Sequence, residues 1–350
     1  MVGHSLGDRW VRPSVPEDGP AIVALMRSVG MHPHADPKHL HWKYWQERAD
    51  WVGPRSFVLT DGRELLAHVA LMPGMLRSAD ARATVSHPID WAARRDAVGA
   101  GVALMKHAGR LSDYLLAIGG SSHTLKILPL MGYRQCGTVT GYVRPLSPVA
   151  ILRQPTGARW KLGPRVARSL LWSWSAPRDV NTGWQARRLG LDKVPRINDV
   201  LPGRSANMAL LERTPALIRH ALECPILPVE LYAMERAGRI GGYFILSFAP
   251  GQARLADLWM DSEDPADWRA LAHCAVLEAK RRRELAELVA WSSDPRLVTV
   301  LKSCGFHARL RIPIYLRSAP GAVARDGVLR VQMIDNDAYY FCVGRSELWA

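Results

Sequence analysis

The stretch DWAARRDAVGAGVALM, residues 90–105, decides the fold. An apolar run ends near Ala93, a polar turn follows, and Gly99 and Gly101 open a segment with helical spacing. Closely spaced glycines let the backbone approach a bulky anion, and a helix start adds a favourable partial positive charge. The pattern predicts a pyrophosphate site. It is not the dinucleotide fingerprint, because the third glycine is missing and no parallel βαβ series follows.

The pattern around this stretch occurs a second time in the C-terminal half. Residues 114–133, YLLAIGGSSHTLKILPLMGY, align without a gap with residues 287–306, ELVAWSSDPRLVTVLKSCGF. Both segments predict a buried strand, a polar turn, a short amphipathic helix and a Gly-aromatic step. Upstream, Asp90 and Asp257 stand at matching places in strands that lead into a helix. The sequence therefore predicts an α/β (α+β) unit used in tandem.

The composition is that of a globular protein. The 350 residues are 48% hydrophobic and 22% charged, which is enough for two globular cores. No run approaches the 18 or so apolar residues of a membrane span, and the N-terminus lacks a signal core. Five scattered cysteines predict reduced thiols in a cytoplasmic protein, without a disulfide or zinc framework. The net charge of +14 indicates an anionic partner, unless an arginine-favouring genome alone explains it.

A basic segment, residues 151–204, joins the two halves. It holds eleven Arg or Lys against three Asp, with tryptophans at 160, 172, 174 and 184. One interpretation is a wrapping linker whose tryptophans pack on the domains. The other is a peripheral contact with an anionic membrane or a phosphate-rich ligand such as tRNA. Arginine and tryptophan suit both ligands, so composition does not choose.

Residues 90–103 resemble the GNAT acyltransferase signature D-L-A-V-x-P-E-x-R-G-x-G-x-G/A. The positions that fall on it without a gap are Asp90, Ala92, Asp96 (for Glu), Gly99, Gly101 and Ala103. The opening WVRPSVPEDGPAIVALMRSV resembles the family's first strand and helix, and Gly132-Tyr133 resembles its Gly-Phe step. The resemblance covers residues 1–145 well and residues 206–320 more faintly.

The resemblance implies two tandem GNAT-like domains, each a mixed, mostly antiparallel sheet flanked by helices. Residues 1–145 are expected to form an acyl-CoA-binding domain, residues 146–205 a basic linker, and residues 206–350 a degenerate GNAT-like domain. The turn at residues 261–265 holds three carboxylates and no glycine pair, so it would repel a pyrophosphate. The second half is therefore expected to shape the acceptor pocket.

The resemblance also implies the site residues. The backbone amides expected to hold the pyrophosphate are those of Val98, Gly99, Ala100, Gly101, Val102 and Ala103. Backbone groups of Trp91, Ala92 and Ala93 would pair with the pantetheine arm, and one N–H there would polarise the thioester carbonyl. Ser121 would also contact this arm. The implied co-substrate is acetyl-CoA or a longer acyl-CoA, with no metal.

Two positions depart from the family pattern. Val98 replaces an arginine or glutamine of the loop, and Leu128 replaces the tyrosine that often protonates the departing thiolate. Asp90, beside the expected thioester, is then the best candidate for the catalytic base. The alternative is a structural carboxylate, which Asp257 favours because it lies at the matching place in the half without the loop.

The histidines at 32, 34, 39 and 41 precede Trp42-Lys43-Tyr44-Trp45. His39 and His41 point to different faces of a helix, so we expect no metal site there.

Three functions fit the sequence. The leading one is N-acyl transfer from acyl-CoA to a small-molecule or glycan amine, such as an amino sugar or other cell-envelope precursor. The second is Fem-type aminoacyl transfer from charged tRNA, which the net charge and the basic segment favour. The third is a catalytically inactive GNAT pair that acts as a binding protein, which Leu128 and Val98 favour.

Overall fold

The computed structural model describes residues 9–78, 81–152, 162–175, 183–202, 208–319, 328–342 and 348–349. The described residues form two compact units. The first takes its residues from Met1–Leu76, Ala81–Cys136 and Ile314–Asp326. The second takes them from Arg77–Asp80, Gly137–Pro313 and Gly327–Ala350. Within the described ranges, none of the helices has the length and apolar character needed to cross a membrane.

The first unit is built on a mixed sheet. Its strands, in spatial order, are β1 (Trp10–Pro13), β2 (Ser56–Thr60), β3 (Leu65–Arg77), β4 (Arg82–Ala93) and β5 (Tyr114–Ile118). The pairs β1–β2 and β2–β3 are antiparallel, whereas β4–β5 is parallel. The next neighbour of β5 is residues 314–318, which pair with it antiparallel. These residues end strand β13 (His307–Ser318), so the C-terminal half supplies a strand to this unit.

Helices cover both faces of this sheet. The helices are α1 (Gly19–Ser28), α2 (Pro37–Leu40), which runs into a π-helical turn over His41–Trp45, α3 (Ala100–Ala108) and α4 (Ser122–Ile127). Alternation along β2 turns Val58 toward the α1 core and Phe57 and Leu59 toward the α3 core. The chain leaves β4 at Ala93 and enters α3 at Ala100, on the face of the sheet that holds the α3 core.

The second unit repeats this plan. Its sheet runs in the order β6, β12, β11, β10, β9, β7. Their ranges are β6 (Arg134–Pro145), β7 (Gln185–Leu189), β9 (Val229–Arg236), β10 (Arg239–Ala249), β11 (Gln252–Met260) and β12 (Glu287–Ser292). Two short strands, β8 (Met208–Leu211) and β14 (Val328–Arg330), pair in parallel. The helices are α5 (Pro148–Leu152), α6 (Leu162–Ser175), α7 (Pro215–Leu222), α8 (Pro265–Lys280) and α9 (Pro295–Ser303).

The internal repeat of the sequence is a repeat of structure. The segment β5–α4–Gly132 matches β12–α9–Gly305 element by element. Both glycines adopt left-handed backbone, with φ of 83° and 80°, where a side chain would be strained. The α/β unit used twice is therefore confirmed.

The compact units do not divide the chain at residues 145 and 205. Strand β7 lies inside the expected linker, yet it pairs with β9 as the edge strand of the second sheet. Residues 140–145 of β6 pair with β12 in the second unit, while residues 314–318 of β13 belong to the first. The division into three sequence segments stays a prediction. Each compact unit combines segments that lie far apart in the sequence.

Candidate active site

The loop after β4 is held in place at its start. The Arg94 amide donates to the Leu66 carbonyl at 2.9 Å. The Arg94 guanidinium donates twice to Asp96, at 2.9 and 2.6 Å, and also contacts Glu64. Gly99 precedes α3 with φ of 78°, a left-handed conformation that suits glycine. The loop thus enters the helix in one defined conformation.

Four amides at this turn are free to bind an anion. The N–H groups of Val98, Gly99, Gly101 and Val102 make no hydrogen bond to any residue that the structure describes. Val98 is 87% exposed, and Gly99 is exposed as well. We call these four N–H groups the amide cradle. The first N–H groups of a helix lack internal partners, which is why they suit an anion.

Two of the six predicted amides already have partners in the helix. The Ala100 amide donates to the Ala97 carbonyl at 3.0 Å, and the Ala103 amide donates to the Gly99 carbonyl at 2.9 Å. These two amides close the first turns of α3, and the role of Ala100 and Ala103 in cofactor binding stays a prediction. The pattern of glycines does not reveal which amides the helix itself uses.

Gly101 allows α3 to approach β4 closely. A Cβ atom there would lie 3.1 Å from the Ala93 Cβ and 3.2 Å from the Trp91 Nε1. The Trp91 indole donates to the Gly101 carbonyl at 3.1 Å. Gly101 is therefore needed for the packing of α3 on β4, and the Trp91 indole links the helix start to the strand.

Strands β4 and β5 separate below this turn. Their parallel pairing consists of Val85 with Tyr114 and Ser86 with Leu115. At the next step the His87 ring bonds to the Leu116 carbonyl at 2.8 Å. The residues predicted to pair with the pantetheine arm, 91–93, lie beyond the last pair. The two strands therefore diverge next to the amide cradle.

Asp90 lies buried in β4 with left-handed backbone, at φ of 49°. The Tyr44 hydroxyl donates to its Oδ2 at 2.7 Å, and the Lys43 ammonium forms a buried ion pair with the same oxygen. Burial opposes ionisation, but the Lys43 charge and the hydrogen bonds from Lys43 and Tyr44 outweigh it. The pKa of Asp90 therefore lies below its usual value.

A chain of buried polar groups holds the Asp90 carbonyl. The His68 Nδ1 lies 3.1 Å from this carbonyl, and its Nε2 lies 2.9 Å from the Ser56 hydroxyl. Ser14 donates to Ser56 at 2.6 Å, and the Trp45 indole donates to Ser14 at 3.0 Å. Burial lowers the pKa of His68 to about 4, so the ring is neutral at pH 7. Because a carbonyl only accepts, Nδ1 carries the proton and Nε2 accepts one from Ser56.

This environment bears on the expected role of Asp90. A carboxylate with a lowered pKa, paired with a lysine, is a weak proton acceptor near neutral pH. Asp257 has the same kind of partners: the Tyr243 hydroxyl donates to it at 2.7 Å, and Arg213 donates twice, at 2.9 and 3.1 Å. The geometry favours the structural alternative, in which a carboxylate, a tyrosine and a cation fix the strand in both halves.

The matching strand edge of the second half is occupied by protein. Leu258 stands where Trp91 stands in the first half. Its N–H donates to the Gln332 side-chain oxygen at 3.1 Å, and its carbonyl accepts from the Gln332 side-chain nitrogen at 3.1 Å. The parallel pairing of β11 with β12 also continues to Leu255 and Ala290. The pair Ala253–Leu288 is equivalent to Ser86–Leu115, the last pair of β4 with β5. The pairing of β11 with β12 therefore continues for two residue pairs more than that of β4 with β5.

The remaining candidates lie around α4. The Ser121 hydroxyl accepts from the Thr124 amide at 3.1 Å and caps this helix. Its predicted contact with the pantetheine arm stays a prediction. Leu128 is buried, and the nearby Tyr133 hydroxyl is buried without a partner among the described residues. Burial raises the pKa of Tyr133.

The histidine-rich segment before β2 forms an aromatic stack. His39 stacks on Trp42 with ring centroids 5.5 Å apart, and His34 meets His39 edge-on at 5.2 Å. Burial lowers the pKa of His39 to about 3, so its ring is uncharged at neutral pH. The segment packs as part of the first unit.

The tryptophans of the basic segment lie partly outside the described residues. Trp160 is one of these, and the Trp174 side chain is not described. Trp172 stacks on His307 at 3.9 Å. Trp184 donates to Asp267 at 2.6 Å and lies under the Arg236 guanidinium, 4.2 Å away. These three contacts favour the packing interpretation for Trp172 and Trp184.

Sequence reasoning missed three residues that shape the two strand edges: Lys43, His68 and Gln332. Lys43 and Tyr44 lie in a run of aromatic residues, which gave no sign of a carboxylate partner. His68 lies in an apolar strand. Only the alternation of the strand, with a histidine at an inward position, points to a buried hydrogen bond.

Comparison with known proteins supports the fold. No protein-family model matches the sequence, and no curated protein matches it. Solved structures do match. A GCN5-related N-acetyltransferase from Anabaena variabilis aligns at a TM-score of 0.58 and 12% identity, over 89% of this chain and 73% of its own.

Two further matches have the same architecture. A probable N-acyltransferase from Enterococcus faecalis aligns at a TM-score of 0.58 and 13% identity, over 89% of this chain and 72% of its own. The Saccharomyces cerevisiae N-myristoyltransferase with bound myristoyl-CoA aligns at 0.62 and 12%, over 94% and 86%. With mixed sheets, flanking helices and a repeated unit, this chain has the fold of the GNAT N-acyltransferases.

Proposed function

We propose that the first unit transfers an acyl group from an acyl-CoA thioester to an amine. One observation carries the proposal: the amide cradle, formed by Val98, Gly99, Gly101 and Val102, has no hydrogen-bond partner among the described residues and lies beside the divergence of β4 and β5. Three of these residues, Val98, Gly99 and Val102, are exposed. A pyrophosphate fits the cradle. The pantetheine arm would then run along residues 91–93, as the resemblance implies.

The chemistry is a direct displacement. The amine nitrogen attacks the thioester carbonyl, the C–N bond forms and the C–S bond breaks. The amine loses a proton to solvent, and the departing CoA thiolate gains one. A backbone N–H at the start of residues 91–93 would stabilise the developing oxyanion, an effect of about 3–4 kcal/mol where it has been isolated in other enzymes.

In this proposal Asp90 is a positioning residue. Its left-handed backbone turns the peptide that joins it to Trp91, and Lys43, Tyr44 and His68 hold that turn. A donor aimed in advance at the oxyanion needs no rearrangement during the reaction. The buried network around Asp90 therefore affects the reaction indirectly, by orienting the backbone N–H that faces the oxyanion.

The matched structures support acyl transfer in general. Their names describe N-acetyl and N-myristoyl transfer, and one of them holds myristoyl-CoA. Acetyl-CoA or a longer acyl-CoA as co-substrate, and a small-molecule or glycan amine as acceptor, remain our proposals. So do the amino sugar or cell-envelope precursor and the cytoplasmic location.

A pair of charge variants tests the cradle. Val98 stands where the family pattern has an arginine or glutamine, and it is 87% exposed, so substitution leaves the core intact. We expect Val98→Arg to tighten CoA binding roughly tenfold and Val98→Glu to weaken it, measured by calorimetry. The control is Val52→Glu, at a site that is 96% exposed. Equal affinity for CoA in all four proteins would remove the assignment.

A second candidate is a protein that binds acyl-CoA without turnover. The buried, apolar Leu128 favours it, because this position supplies no acid for the thiolate. Mixing the protein with acetyl-CoA and a panel of amines and following free thiol distinguishes the two. Tight binding with no thiol release from any amine would select the binding protein.

Aminoacyl transfer from tRNA rested on the basic segment 151–204. Residues 153–161, 176–182 and 203–207 of the chain lie outside the described residues, and they hold part of its charge. The membrane and tRNA contacts of this segment stay predictions. Salt-dependent tRNA binding would test the second of them.

A further inference from the structure

A groove of about 790 Å³ opens on the first unit, next to the loop that leads into the amide cradle. Its walls are α1, the turn between β2 and β3, and residues 94–96. The α1 wall presents Ala21, Ala24 and Ser28, whose small side chains leave the space open. Four arginines and three carboxylates line it.

The three carboxylates are already engaged by two of the arginines. Arg12 donates twice to Asp18, at 2.7 and 2.8 Å. Arg94 donates twice to Asp96 and also contacts Glu64. These ion pairs connect side chains within the groove walls. All three carboxylates that line the groove therefore pair with Arg12 or Arg94, and the other two arginines of the groove have no carboxylate partner there.

Those two are Arg63 and Arg95. Both are exposed, and neither guanidinium forms an ion pair or hydrogen bond with a residue in the described part of the chain. An exposed arginine is ordinary by itself. Here two of them line one concave site in which the acids are already paired.

The backbones beneath both arginines are fixed. In the β2–β3 turn, the Asp61 carboxylate accepts from the amides of Arg63 and Glu64, each at 3.0 Å. The Thr60 hydroxyl accepts from the Gly62 amide at 3.0 Å and donates to the Glu64 carbonyl at 2.8 Å. Arg95 directly follows Arg94, which is tied to β3. Two cationic side chains thus extend into the groove from rigid positions.

We propose that the groove binds a phosphate monoester through Arg63 and Arg95. The planar guanidinium pairs with phosphate oxygens in a two-point geometry, and two of them match a dianion. The proposal rests on the proposed function. The first source of such a group is the 3′-phosphate of CoA, because residues 94–96 lead directly into the loop that holds the pyrophosphate. The second source is a phosphate on the acceptor.

Calorimetry with three ligands tests it: CoA, 3′-dephospho-CoA and glucosamine 6-phosphate. The proteins are the wild type, the double variant Arg63→Gln/Arg95→Gln, and the control Arg27→Gln/Arg110→Gln. The control removes the same charge from exposed sites of the first unit that do not line the groove. If the 3′-phosphate occupies the groove, the wild type prefers CoA to dephospho-CoA about tenfold, and only the double variant loses this preference.

If the phosphate belongs to the acceptor, the double variant binds CoA like the wild type but loses glucosamine 6-phosphate. Either result supports the groove. Unchanged binding of all three ligands in the double variant would overturn it. A wild type that binds neither CoA nor dephospho-CoA would instead contradict the proposed function. The glucosamine 6-phosphate titrations alone would then decide the groove.

Discussion

At the scale of single residues, buried polar groups decide the shape of the strand edge. Asp90 is ionised inside the first unit only because Lys43 and Tyr44 compensate its charge. A buried ion pair adds little over an apolar pair of the same shape, but removing one partner leaves an uncompensated charge. The value of this pair lies in holding one backbone conformation.

Lys43→Met is expected to destabilise the protein by about 3–5 kcal/mol at pH 7. Without the lysine, burial raises the pKa of Asp90, so the carboxyl becomes protonated in acid and the penalty shrinks. The loss should therefore be smaller at pH 4 than at pH 7, as measured by urea unfolding. Lys38→Met, at an exposed site on α2, should change little. A loss of the same size at both pH values would contradict this account.

His39 and His68 should make the protein less stable in mild acid. Burial holds their pKa values at about 3 and about 4, while the unfolded chain binds protons near pH 6.5. Stability is therefore full above pH 6.5 and falls as the pH drops toward 4, by roughly 2 kcal/mol per histidine between pH 7 and pH 5. His68→Gln should flatten the slope of unfolding free energy against pH. An unchanged slope would show that His68 titrates normally.

At the scale of elements, the two halves differ in what fills the strand edge. In the first unit β4 and β5 diverge after Ser86 and Leu115, and the loop above offers free amides. In the second unit the pairing runs on, and Gln332 satisfies both backbone groups of Leu258. One plan of strands and helices thus yields an open edge in one half and a closed edge in the other.

Gln332→Ala should cost about 1–3 kcal/mol, since the buried Leu258 N–H loses its partner and the Leu258 carbonyl keeps only the bond from Arg330, at 3.3 Å. It should not create a second CoA site, because the β11–β12 pairing still closes the edge. Urea unfolding and calorimetric stoichiometry check both parts, with one CoA bound per chain as the expected value. Gln185→Ala, at an exposed position of β7, serves as the control. Two CoA molecules per chain in the Gln332 variant would contradict this interpretation.

At the scale of the whole molecule, each compact unit is assembled from segments that lie far apart in the chain. Strand β5, buried along its length, needs residues 314–318 as its antiparallel neighbour. An unpaired buried strand exposes both its apolar face and its backbone groups. The first unit therefore depends on a segment almost two hundred residues further along the chain.

The fragment 1–145 is accordingly expected not to fold alone. Circular dichroism and thermal unfolding should show no cooperative transition, and the fragment should aggregate as its concentration rises. Adding a peptide that spans residues 307–319 should restore part of the structure. A cooperative transition of the fragment by itself would show that β5 tolerates an open edge.

The sequence by itself determined the α/β unit used twice, the strand-to-helix turn with its glycines, and the acidic turn without a glycine pair in the second half. These follow from local patterns: the period of apolar residues, the spacing of Gly99 and Gly101, and three carboxylates in one turn. They need only neighbours in the chain, so they are readable without coordinates.

Only the tertiary structure decided which amides are free, what surrounds Asp90, and which strand completes each sheet. Tyr44 and Asp90 are 46 residues apart, and Leu258 and Gln332 are 74 apart. Such pairs depend on how strands and helices pack, and no local spacing encodes them. The strand pattern alone therefore suggested Asp90 as a base, whereas its buried partners in the folded chain, Lys43 and Tyr44, favour the structural alternative.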